Sequence, residues 1–197
     1  MKRTLIFYGD SNTWGYDPAS FTDGRYPVDK IWTTLLQEEL GRDWEIIPQG
    51  LNGRTLPVRQ EDLDRVGRMA AGLGPDDVFG IMLGTNDVGR PSRPDAAVPI
   101  VRMQRLLQML TLNCNPKILV IAPPWIGGSG AADPVLEPYR EQCRRMNAGF
   151  AELTAQYGAF YADAAEWNIG LAFDFIHFSL AGHRQFAYSM KKVMELI

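Results

Sequence analysis

Cysteine and histidine are scarce in this chain of 197 residues, with two of each. Cys114 and Cys143 stand in no CxxC or Cys/His pattern. That spacing argues against a disulfide framework or a thiolate metal centre and for two reduced, packed thiols. Long basic runs are missing too. The 20 Lys and Arg residues are outweighed by 23 Asp and Glu, for a net charge of −3, so nucleic acid is not an expected partner. No stretch approaches the roughly 20 apolar residues of a membrane span. The short run Leu5-Ile6-Phe7-Tyr8 behind Lys2 and Arg3 meets Asp10 too soon for a signal peptide. A soluble cytoplasmic protein with no membrane partner is the expectation. Internal repeats, low-complexity tracts and linkers are also lacking, so residues 1–197 are expected to form one domain.

What the chain does have is an ordinary globular balance, 46% hydrophobic and 22% charged residues. Its apolar residues fall into two patterns. Short runs at Thr4–Tyr8, Trp44–Ile47, Val78–Leu83, Ile118–Ala122 and Ala159–Tyr161 read as strands. Several are apolar throughout, as parallel strands covered on both faces must be. Between them, Trp32, Leu35, Leu36 and Leu40 recur with helical spacing and stop at Gly41. Similar stripes run through Val98–Leu112, Pro138–Tyr157 and Ala181–Leu196. Strand and helix in alternation predict right-handed βαβ units, a parallel sheet and helices on both faces. The loop-like stretches 88–99 and 123–134 both follow strands, at the edge where open α/β sheets bind ligands.

GDSNTWG, Gly9 to Gly15, follows the first strand. Ser11 there would sit beside a helix N-terminus, where negative charge is favoured, as an attacking hydroxyl or a phosphate ligand requires. A lone serine after a strand is ordinarily a turn or cap residue. Three further stretches reach the same edge: QGLNGRT at 49–55, GTND at 84–87 and DFIH at 174–177. A serine hydroxyl needs a base, and the base an orienting acid. His177 has Asp174 three residues earlier; Asp163, in Tyr-Ala-Asp-Ala, is the rival acid. His183 lies one helical turn on and reads as a packed or surface histidine. Donors for an oxyanion are the backbone N–H groups of Ser11 and Gly53 and the side-chain amide of Asn86. Asp10 and Asp87 read as loop-holding residues.

GDSNTWG, LNGRT, GTND and DFIHFSLAG, in this order, closely resemble the four sequence blocks of the GDSL or SGNH hydrolases. The resemblance covers nearly the whole chain. It implies a flavodoxin-like three-layer α/β/α sandwich with a mostly parallel sheet of about five strands. It also implies a serine esterase with Ser11 as nucleophile, His177 as base and Asp174 as orienting acid. Ser11, Gly53 and Asn86 would form the oxyanion hole, with no metal and no cofactor. Within the family, the likeness is greatest to small bacterial arylesterases and acyltransferases. Two positions depart from the pattern: Asn12 stands where Leu is frequent, and Phe175 where Gly often follows the block-four Asp.

The expected partner is a small-molecule ester with a short acyl group; if Trp125 and Ile126 line an alcohol channel, acetyl transfer to benzyl alcohol is expected. Trp14, Trp125, Ile126 and Phe175 are the candidates for its pocket. A homo-oligomer is expected from the habit of the related group and the apolar long loops. Three other readings stand beside this one: a carbohydrate O-acetylesterase with the same catalytic residues, a flavodoxin-like module binding phosphate or flavin at residues 9–15, and a non-catalytic assembly protein.

Overall fold

A computed structural model describes residues 2–22, 24–128 and 133–197. Each apolar run forms a strand: β1 (Arg3–Gly9), β2 (Trp44–Gly50), β3 (Val78–Met82), β4 (Lys117–Ala122) and β5 (Phe160–Asp163). The helices are α1 (Ser11–Trp14), α2 (Trp32–Leu40), α3 (Gln60–Ala71), α4 (Thr85–Gly89), α5 (Ala97–Asn113), α6 (Glu137–Tyr157) and α7 (Leu180–Met194). The strands pair in parallel in the order β2-β1-β3-β4-β5. Successive side chains of a strand face opposite ways, so a strand covered on both sides must be apolar at every position. In β1, Leu5 and Phe7 join Trp32, Leu36, Phe186 and Met190 of α2 and α7. Ile6 and Tyr8 join the other core, with Leu63 and Val66 of α3, Leu106 of α5 and Phe150 of α6. This is the expected three-layer α/β/α sandwich. Pro48 lies in β2, where the missing N–H is tolerated because β2 is an edge strand.

The four helices anticipated from spacing appear as α2, α5, α6 and α7. Helix α3 was not anticipated. Its buried face is only Leu63, Val66 and Ala70, set in the charged stretch QEDLDRVGRMAA. Strand β5 begins at Phe160 rather than Ala159, whose N–H still bonds Thr154 O at the end of α6 (2.9 Å). Phe178, which directly follows His177 in DFIHFSLAG, is buried in the core with Phe186.

Topology positions the site. The chain leaves β1 for β2 on one side, then returns past β1 to β3 on the other. The connections therefore part above the carboxyl ends of β1 and β3, leaving a crevice between them. Ser11 follows β1 directly, and α4 follows β3.

Candidate active site

Ser11 is the first residue of α1, whose N-cap is Asp10. The Asp10 carboxylate accepts from Asn12 N–H (3.0 Å), satisfying a helix-end donor. Helix α1 lies hard against the end of β2. A Cβ on Gly50 would stand 2.3 Å from the Trp14 nitrogen, so only glycine permits that approach. Ser11 Oγ is 2.9 Å from His177 Nε2, and His177 Nδ1 is 2.5 Å from Asp174 Oδ2. The other Asp174 oxygen accepts from the N–H groups of Ile176 (3.1 Å) and His177 (3.0 Å). One carboxylate thus closes the turn and meets the imidazole that the turn presents. Burial alone would raise the Asp174 pKa. The hydrogen bonds from the His177 ring and the two N–H groups outweigh it and hold the carboxyl below its ordinary value.

Asp163 and His183 serve elsewhere. Asp163 accepts from Asn147 Nδ2, Tyr161 Oη and Ala165 N–H, the last capping the 3-10 turn 164–167. His183 is fully buried, its Nδ1 accepting from Trp32 N–H (3.3 Å). Burial pushes its pKa down to about 4, so it is a neutral core residue.

Asn12 acts through its side chain on the catalytic loop. Its Nδ2 donates to Ile176 O (3.2 Å), and its Oδ1 accepts from Phe178 N–H (2.9 Å). The residue beside Ser11 therefore grips both neighbours of His177, and it is 4% exposed. A leucine at this position would make neither bond. Phe175 has φ of 59°, in the left-handed region, which explains why the family pattern often has Gly there. Its carbonyl accepts from Gly127 N–H (2.8 Å).

The facing wall comes from the loops after β2 and β3. Gly53 turns at φ 72°, again left-handed. Arg54 anchors this loop: its Nη1 donates to Gly9 O (2.7 Å) and to Gln49 O, and its guanidinium lies 4.1 Å from the Tyr8 ring centroid. Asn86 Nδ2 donates to Arg54 O (3.0 Å) and lies 3.5 Å from Asp10 Oδ2. Asp87 ties α4 to both sides, accepting from Leu56 N–H (3.0 Å) and pairing with Arg102 (2.6 Å). Burial raises the Asp87 pKa, with those two bonds opposing it. Burial likewise pushes Asp10 up to about 6, against the Asn12 N–H bond and the charge of His177.

Ser11 and His177 thus face Gly53 and Asn86 across a cavity of 230 Å³, completed by Tyr16, Asn52 and Arg90. The Tyr16 ring leans on the His177 ring, centroids 4.5 Å apart. Those last three residues were not singled out in the sequence, although Tyr16 and Asn52 adjoin or lie within the motifs. The four pocket candidates do not line this cavity. Trp14 lies under the Arg25 guanidinium (4.9 Å), Trp125 under that of Arg144 (5.0 Å), and Ile126 is core. Phe175 is half exposed. Part of the 123–134 loop, residues 129–132, falls outside the described residues. Among the described residues, no group of three or more His, Cys, Asp or Glu could hold a metal, and no helix is long and apolar enough to cross a membrane.

A hydroxyl, an imidazole and a carboxylate in one hydrogen-bonded line are the parts of acyl transfer through serine. The model of the GDSL-like lipase/acylhydrolase family matches residues 7–185. The chain belongs to this family. It is an ester hydrolase. Three solved structures are similar to the acylhydrolase along its whole length. A protein from Agrobacterium tumefaciens strain C58 assigned as an arylesterase is 28% identical over 99% of each chain, with a TM-score of 0.82. Est24, a carbohydrate acetylesterase from Sinorhizobium meliloti, is 25% identical over 100% of each, with a TM-score of 0.81. The M. smegmatis aryl esterase is 25% identical over 98% of this chain and 99% of its own, also with a TM-score of 0.81. No curated protein sequence matches significantly.

Proposed function

We propose that this acylhydrolase is a serine esterase of short acyl esters. The observation that carries the reading is the unbroken line Asp174–His177–Ser11, with spacings of 2.5 and 2.9 Å. Ser11 Oγ attacks the ester carbonyl while His177 Nε2 takes its proton. Asp174 holds the Nδ1–H tautomer and stabilises the imidazolium that forms. The developing oxyanion is bound by the N–H groups of Ser11 and Gly53 and by Asn86 Nδ2. His177 returns the proton to the departing alcohol, leaving an acyl-Ser11. Water, or a second alcohol, then resolves it.

The size of the cavity supports a short acyl group. A space of 230 Å³ lies below the usual range of drug-sized sites, roughly 300–1,000 Å³. For p-nitrophenyl esters, kcat/KM is expected to be highest with acetate or butyrate and at least about tenfold lower with octanoate, since each methylene without a seat forgoes its burial. Equal rates on all three esters would contradict a short acyl pocket.

The cavity lining favours a second reading within the same chemistry. Tyr16, Asn52 and Arg90 are polar, and none of the aromatic candidates lines the cavity. That suits the hydroxyl-rich alcohol of a sugar ester, and Est24 is described as a carbohydrate acetylesterase. An acetylated xylo-oligosaccharide hydrolysed far faster than phenyl acetate would select this reading.

A further inference from the structure

One wall of the cavity carries a guanidinium that the acyl-transfer steps above do not employ. Arg90 stands just past α4 and lines the cavity with Ser11 and His177. Its guanidinium fills the space left by the missing side chain of Gly53: a Cβ there would lie 2.0 Å from Arg90 Nη2. Among the described residues that guanidinium has no hydrogen bond and no ion pair. The nearby carboxylates are already engaged. Asp87 is held by Arg102 and Leu56 N–H, and Asp10 by Asn12 N–H and Asn86. Arg54, next along the loop, is bound to two carbonyl oxygens. Beyond Gly53 a second cavity of 390 Å³ also presents Arg54 and Arg65. This basic stretch belongs to a chain whose net charge is −3, so it is a local arrangement and not a general excess of cations.

The departing oxygen must reach His177 Nε2, so the alcohol half lies on the side of His177 and Tyr16. We propose that the acyl half runs toward Gly53 and that Arg90, beside it, binds a carboxylate carried on that half, so that the preferred substrates are half-esters of short dicarboxylic acids. This rests on the serine esterase reading above and names its substrate class. A guanidinium and a carboxylate form paired N–H···O bonds, which a neutral acyl chain of equal length cannot make.

The experiment compares monomethyl succinate with methyl butyrate, following methanol release, in the wild type, Arg90→Gln and Arg90→Lys. The wild type is expected to favour the half-ester by about tenfold or more in kcat/KM, and Arg90→Gln to cut that ratio by roughly 10- to 100-fold. Arg90→Lys keeps the charge without the fork and falls between. An unchanged ratio in Arg90→Gln overturns the proposal, as does a parallel loss on both esters, which would mean that Arg90 serves the oxyanion or the fold. A second pair, O-acetylglycolate against ethyl acetate, carries the carboxylate on the alcohol half. Dependence on Arg90 confined to that pair also overturns the assignment. Ser11→Ala in the same assay separates the two levels: methyl butyrate hydrolysis within tenfold of wild type in that variant sinks the serine esterase reading itself, whereas an unchanged ratio with Ser11→Ala impaired by orders of magnitude removes only the role of Arg90.

Discussion

Ser11→Ala lowers kcat/KM for p-nitrophenyl acetate by roughly 10⁴–10⁶ and leaves the protein folded. The substitution removes a single oxygen, whose recorded bond is the one with His177 Nε2. The N-cap of α1 is Asp10, so the helix keeps its start, and Ala is at least as good a helix former as Ser. The Ser11 N–H, Gly53 and Asn86 remain in place to bind an oxyanion. Water attacking in this pocket can therefore retain a residual acceleration, which is why the loss is large but finite. His177→Ala in the same background is expected to add little, because nucleophile and base work as a unit. Activity within tenfold of wild type in purified Ser11→Ala would mean another nucleophile.

Asp174→Asn is expected to lower kcat by roughly 10³–10⁴ with little change in KM. The reason lies in the division of labour between the two carboxylate oxygens. The one that accepts from the N–H groups of Ile176 and His177 can be replaced by the amide oxygen, so the turn survives. The amide NH2 then faces His177 Nδ1, which must accept. That places the ring proton on Nε2, pointing at Ser11, and the imidazole can no longer take the serine proton. Circular dichroism and thermal melting near wild type, together with the loss in kcat, distinguish this from unfolding. A loss of less than tenfold would mean that another carboxylate orients His177. Asp163 is not placed to do so, since its oxygens are taken by Asn147, Tyr161 and Ala165.

The strands were legible because a strand buried on both faces needs no partner to declare itself: every position in ILVIA or LIFY is apolar. Helix α3 was not, because three buried residues in a charged segment hardly differ from a solvated loop. At the site, Asp174 and His177 could be paired because their contact is local, three residues apart. The contacts of Asn12 with Ile176 and Phe178 span 164 and 166 residues, and nothing in GDSN announces them. Arg90 was hidden for the same reason, since its place over Gly53 depends on two loops meeting across the sheet edge. Loop tryptophans suggest a ligand surface, yet the rings of Trp14 and Trp125 lie under the arginine side chains of Arg25 and Arg144, and Trp125 packs against the core. Phe175 was recognised as a departure from Gly, but the left-handed backbone behind that preference is a fact of three dimensions.

The central claim is that Ser11 carries the acyl group between the two halves of the reaction. Its most direct test is mass spectrometry of the protein after treatment with an active-site organophosphonate, followed by peptide mapping. One adduct per chain on Ser11, absent from His177→Ala and blocked by prior incubation with a slowly turned-over ester, is the predicted result. An enzyme that hydrolyses esters while Ser11 stays unmodified, or whose adduct maps to another residue, would contradict it.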